Sequence, residues 1–171
     1  MKGLKIHPVA QGFAPDDKRM WPVYQWMIEH DLPITAHSGA NVDGSSKYGE
    51  PKRWIPVLEE FKGLKLILAH LGSGFWDQTI EIADKFPDVM FDTAIAISYI
   101  NSSTTLDDGD AIDLIRTIGA DRILFGSDYP WVNPRGDIER IRRLDIPRED
   151  KYLILGQNAA RLFNLNNSVN R

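Results

Sequence analysis

Five short runs rich in branched apolar residues, at positions 3–7, 33–37, 64–70, 89–92 and 122–126, recur along the chain with longer stretches of helical periodicity between them. Each run is too short and too continuous to be an amphipathic helix. Apolar strands alternating with helices are the signature of βα units around a parallel sheet, whose strands are buried on both faces. The fold class is therefore α/β. Neither a low-complexity segment nor a repeat beyond this alternation is present, and 171 residues that are 43% hydrophobic suit one domain spanning 1–171.

Between the first two runs, Trp21, Tyr24, Met27 and Ile28 recur at helical spacing, with Pro22 acceptable in a first turn and Asp16 and Asp17 as caps. That helix is expected to end near His30. A polar loop over 38–50 follows, long for a βα connection and of a length more often functional than idle. Next come a helix carrying Trp54, Val57, Leu58 and Phe61 on one face and stopped by Gly63, a helix over 76–86 ended by Pro87, and one over 111–118 closed by Gly119. The segment 95–110, clustered in Ser, Thr, Asn and Asp, reads as a mobile loop. Helices are predicted over 137–144, 148–155 and 158–163, and a frayed tail over 166–171.

Several functions are excluded by composition. With no cysteine, disulfides, thiolate nucleophiles and Cys-type zinc sites are impossible. The net charge is −4 with both signs interspersed, so no basic stripe serves nucleic acid or a membrane surface. No apolar stretch approaches the ~20 residues of a membrane helix and no signal-type run opens the chain, so the expectation is a soluble, cytoplasmic protein. Neither Ser38 nor Ser73 sits in a Gly-x-Ser-x-Gly elbow. The Gly72-Ser73-Gly74 string lacks the lysine of a phosphate loop.

What stands at the carboxyl ends of the runs is more telling: His7, His37, His70, Asp92 and, just past the last, Asp128. In parallel α/β folds these ends share one surface, the binding crevice or barrel mouth. Imidazole and carboxylate together suit a divalent cation such as zinc, with manganese the alternative, and a catalytic metal keeps a position open for water. His37 and Asp128 are the preferred ligands and His70 the acid, base or electrostatic stabiliser. His7 and Trp131 are candidate substrate contacts for a small molecule, with Tyr129 beside them. Lys5 is expected in an interior ion pair. Asp92 has no evident task, and His30 complements a helix dipole.

In order along the chain, Gly3-Leu4-Lys5-Ile6-His7-Pro8, Ala36-His37-Ser38-Gly39, Leu68-Ala69-His70-Leu71-Gly72, Leu124-Phe125-Gly126-Ser127-Asp128-Tyr129-Pro130 and Gly156-Gln157-Asn158-Ala159-Ala160-Arg161-Leu162 resemble motifs of the amidohydrolase-related proteins that include aminocarboxymuconate semialdehyde decarboxylase. The resemblance implies that His37 closes the fifth strand of a TIM-type barrel as a metal ligand. It further implies that Asp128 follows the eighth strand as a second ligand and catalytic residue, and that His70 transfers a proton. It implies hydrolysis of C–O or C–N bonds, or nonoxidative decarboxylation of an unsaturated or aromatic acid. The resemblance would also allow a carbamylated, metal-bridging Lys5, to which the interior ion pair is preferred. Members begin with a strand ending in His-x-His, which this chain lacks. By the motifs it corresponds to strands 4 to 8, about five βα units of a barrel that typically takes about 250 residues. The chain is thus expected to be a fragment, a short product, or a form completed by association, and open sheet edges favour a homo-oligomer. The competing readings are a noncatalytic part-barrel used for binding or assembly, and an open five-stranded domain that holds a small anion.

Overall fold

The structure, a computed structural model, describes residues 2–41, 44–100 and 102–165. Strands β1 (Leu4–Ile6), β2 (Ile34–Ala36), β3 (Leu66–Leu68), β4 (Met90–Asp92) and β5 (Ile123–Leu124) form one sheet in that spatial order, every neighbouring pair parallel. Eight α-helices of the described residues complete it: α1 (Pro8–Gln11), α2 (Trp21–Glu29), α3 (Ile55–Glu60), α4 (Trp76–Lys85), α5 (Asp108–Ile118), α6 (Pro134–Arg143), α7 (Arg148–Tyr152) and α8 (Asn158–Leu162). Among the described residues β1 and β5 each pair on one side only.

Register sorts the strand residues into two faces, because successive side chains alternate. Ile6, Ala36, Leu68, Phe91 and Ile123 lie in one row across the sheet, and Ile34 and Leu66 in another. All seven belong to a continuous core with Tyr24, Met27, Trp54, Val57, Ile82, Ile115, Ile141 and Ile154 from the helical layer. The opposite face carries Lys5, Thr35, Ile67, Met90, Asp92 and Leu124. Of its polar members, Asp92 ends β4, while Lys5 and Thr35 sit in the middle of their strands.

The strands are shorter than the apolar runs that announce them, and the reason bears on function. His7 leaves the sheet to cap α1, which the sequence did not predict. His70 leaves it for a tight turn over Ala69–Gly72, with His70 at φ 64° and Leu71 at φ 48°. The runs thus end in turns that carry imidazoles beyond the carboxyl edge. The segment after β4 is a loop as expected, but α5 begins at Asp108, because the Asp107 carboxylate accepts the Asp110 N–H at 2.8 Å and caps it. The loop itself is tied down: the Leu106 N–H donates to the Ala96 carbonyl and the Thr105 hydroxyl to the Ile95 carbonyl. At the C-terminal end, buried Asn158 donates to the Ala120 and Ile123 carbonyls, both at 2.8 Å, and fastens α8 under β5. The frayed tail expected over 166–171 lies outside the described residues.

Candidate active site

At the carboxyl edge of the sheet a cavity of about 460 Å³ gathers Lys5 and His7 from β1 and its turn, His37 after β2, and His70 after β3, with Asp128 and Trp131 after β5. The six come from four separate βα units, Lys5 from within its strand and the others from the segments that follow theirs. Ala40, Asn41, Ser73, Ile95 and Thr104, from the loops after β2, β3 and β4, complete the wall. A larger hollow of about 600 Å³ lies by Tyr99, Asp108 and Arg140, away from these groups. There the Arg140 guanidinium is already committed to Asp108 at 2.8 Å and to the Ser98 and Leu106 carbonyls.

The three histidines of the cavity differ in which nitrogen is free. His7 lies flat on His37, ring centroids 3.9 Å apart and planes 9° from parallel, and His37 meets His70 at 4.8 Å with planes tilted by 60°. The Ala10 N–H donates to His7 Nδ1 at 3.2 Å, so Nδ1 is an acceptor and a neutral ring keeps its proton on Nε2. His70 is the reverse: its Nδ1 faces the Ala94 carbonyl at 3.1 Å, which can only accept, so Nδ1 carries a proton and in the neutral ring Nε2 offers its lone pair. His37 is buried, and its Nε2 has no hydrogen-bond partner. Burial first, then His70, His7 and Lys5, hold its pKa down at about 3, so the ring is neutral at ordinary pH. Burial and then the Lys5 ammonium also pull His7 below its usual value.

The remaining candidates separate by what they touch. The Asp128 carboxylate makes no hydrogen bond or ion pair with the described residues; only its backbone carbonyl is used, accepting the Trp131 N–H at 2.9 Å. The side chain therefore does not cap the loop that follows it. Lys5 likewise has no hydrogen bond or ion pair among the described residues, so the interior ion pair expected for it is absent. Trp131 is 82% exposed at the rim. Asp92 is not in the cavity wall. Its Oδ1 accepts the backbone N–H groups of His70 at 2.9 Å and Ala94 at 3.1 Å, anchoring the turn that carries one imidazole and the carbonyl that orients it. Sequence reasoning assigned Asp92 no task; its place at a strand end, beside His70 across the sheet, was the available signal. His30 stays on the surface, its Nδ1 2.8 Å from the Trp26 carbonyl.

A divalent metal fits this chemistry in part. A buried, uncharged imidazole nitrogen without a partner is costly unless something accepts its lone pair, and a cation does so. Asp128 supplies an uncommitted carboxylate in the same cavity. Among the described residues, however, no three His, Asp or Glu side chains come together closely enough to hold a metal on their own. The two donors make up half of a four-coordinate site.

Comparison with known proteins agrees with this architecture. The amidohydrolase family model matches residues 1–165, and the chain belongs to that family. It is 24% identical over 203 residues to a gamma-resorcylate decarboxylase of Polaromonas sp., the match covering 94% of this chain and 62% of that enzyme. Among solved structures it superposes on an uncharacterized TIM-barrel protein from Bordetella bronchiseptica with a TM-score of 0.79 at 24% identity, covering 94% of this chain and 57% of that one. It also superposes on a dihydroxybenzoic acid decarboxylase from Polaromonas sp., solved with manganese and the inhibitor 2-nitroresorcinol, with a TM-score of 0.66 at 20% identity, covering 90% and 56%. The chain spans about half the length of the curated relatives it matches. The five βα units are thus part of a TIM-type barrel, as expected. Among the described residues no helix is long and apolar enough to cross a membrane.

Proposed function

We propose that this chain forms the later part of the barrel of a metal-dependent decarboxylase acting on a small aromatic acid. The observation that carries the reading is the sorting of nitrogens in one cavity: an orphaned Nε2 on His37, a basic Nε2 on His70 and a donor Nε2 on His7. His37 and Asp128 would hold the cation, zinc or manganese, and Asp128 would also act in catalysis. Bound there, a divalent cation polarises a substrate oxygen and stabilises the charge that develops on it. Decarboxylation breaks the bond between ring carbon and carboxylate, leaves the electron pair on that carbon and requires a proton to replace the carbon dioxide. His70 is the group that can carry it, because Nδ1 is pinned by the Ala94 carbonyl and Nε2 is left to take up and release a proton.

His7 and Trp131 are assigned to the substrate, Trp131 as an aromatic wall at the open rim. The names of the relatives favour decarboxylation over hydrolysis and a benzoic acid over an amide or lactone. The test is elemental mass spectrometry of the full-length protein with carbon dioxide release from a panel of benzoic acids that includes 2,6-dihydroxybenzoate. Asp128→Ala is expected to lose both metal and turnover; retained metal with undiminished turnover would overturn the assignment.

A further inference from the structure

Once the cation and the proton carrier are assigned, two donors of the cavity remain. Lys5 sits in the middle of β1 and His7 just past its end, and both line the cavity. Lys5 has no acidic partner among the described residues although it lines the cavity. His7 is held rigidly by a reciprocal cap: Nδ1 accepts from the Ala10 N–H, while its own backbone N–H donates to Gln11 Oε1 at 2.7 Å. That cap commits Nδ1 as an acceptor and turns Nε2 into a donor. A metal ligand needs the opposite, a lone pair on the free nitrogen, so His7 stands outside the ligand set despite stacking on His37. An ammonium and an N–H facing one cavity, neither with an acceptor among the described residues, are complementary to a carboxylate.

Which carboxylate follows from the reaction. A carboxylate expelled as carbon dioxide loses its charge on the way to the transition state, and a cation fixed upon it would stabilise the ground state more than the transition state. A cation that assists catalysis belongs on a group that stays charged throughout. We propose that Lys5 and His7 bind a second carboxylate of the substrate, one that the reaction does not remove, and so select an aromatic dicarboxylate. The proposal rests on the decarboxylase reading of this cavity. Lys5 is then a specificity-determining residue, its ammonium neutralising the retained carboxylate while His7 Nε2–H donates to one of its oxygens.

The experiment measures calorimetric binding of isophthalate and of benzoate to the full-length protein and to its Lys5→Met and His7→Gln variants, with metal content and intact mass of each. The wild type is expected to bind isophthalate about tenfold or more tightly than benzoate. Lys5→Met, which keeps the aliphatic stem, removes most of that preference and His7→Gln part of it, while both keep their metal. An unchanged preference overturns the proposal, as does loss of metal from either variant or a carbamate mass on Lys5 of the wild type. If metal and decarboxylation are present but the preference is not, the clamp fails and the decarboxylase reading stands. If metal and decarboxylation are both absent, it is the decarboxylase reading that fails.

Discussion

Replacing Asp92 by alanine tests the scaffold of the site without assuming any activity. The turn over Ala69–Gly72 places two consecutive non-glycine residues, His70 and Leu71, in the left-handed region, which costs roughly 1–2 kcal/mol for each. Local bonds offset part of this: the Ser73 N–H donates to the His70 carbonyl at 2.9 Å, and the Ser73 hydroxyl to the same atom at 3.2 Å. Beside the His70 Nδ1 bond to the Ala94 carbonyl and the Ser73 hydroxyl bond to the Thr104 carbonyl, the long-range restraint on the turn's backbone is the Asp92 carboxylate, accepting the His70 and Ala94 N–H groups from β4. A hydrogen bond to a charged group contributes about 1.5–3 kcal/mol. Asp92 is half-buried and water can reach the vacated N–H groups in part, so the two bonds together are set at about 2–3 kcal/mol. For a chain of this size that lowers the melting temperature by roughly 4–12 °C.

Asp92→Asn keeps the acceptor oxygen but not the charge, and is expected to lose less than half as much. The assay is urea unfolding of wild type and both variants by circular dichroism, with amide hydrogen exchange resolved at His70 and Ala94. Protection at those two amides should fall in Asp92→Ala by more than at the core strands. An Asp92→Ala protein within about 0.5 kcal/mol of wild type, which is the ordinary range for an inconsequential surface change, would refute the account of the turn.

Two further outcomes are expected. Because the pKa of His37 is about 3 in the folded chain, against 6.5 for the free side chain, the unfolded state binds more protons between those values. Stability is then full above about 6.5 and falls as pH drops toward 3. In the presence of chelator, the wild type should lose more stability than His37→Gln between pH 7.5 and 4.5, and parallel losses would contradict the assignment. Asn158→Ala removes both bonds from the side-chain amide to the Ala120 and Ile123 carbonyls; it should cost about 2–4 kcal/mol, and a urea midpoint equal to wild type would count against its role under β5.

Much of the fold was legible because the signals are local. Branched apolar runs mark strands buried on both faces, and Gly119, with φ 96°, closes α5 as its position suggested. The convergence of His7, His37, His70 and Asp128 was legible too, since it follows from parallel strands alone. What escaped is what depends on partners far along the chain or runs against local preference. Histidine is not among the preferred N-caps, so nothing before Pro8 announced α1. His70 and Leu71 carry no turn signal of their own and adopt left-handed geometry under restraint from Asp92, 22 residues later. That Lys5 meets no acidic partner among the described residues is a fact of tertiary structure that no run of residues around it encodes.

The chemistry of the site is therefore written less in its side chains than in the backbone groups they meet. His7 and His70 are the same residue type at equivalent strand ends, yet one faces an amide N–H and the other a carbonyl, and that difference fixes opposite nitrogens as donor and acceptor. His37, lying between them, is held neutral by burial, and its buried Nε2 has no hydrogen-bond partner among the described residues. Shifting α1 by one residue would withdraw the Ala10 N–H and return His7 to either tautomer. The ring would then be as fit for a cation as for a carboxylate, and the division of labour with His37 would be lost with no change in any cavity side chain. The reciprocal bond from the His7 N–H to Gln11 opposes such a shift, which ties the selectivity of this cavity to a four-residue helix outside its wall.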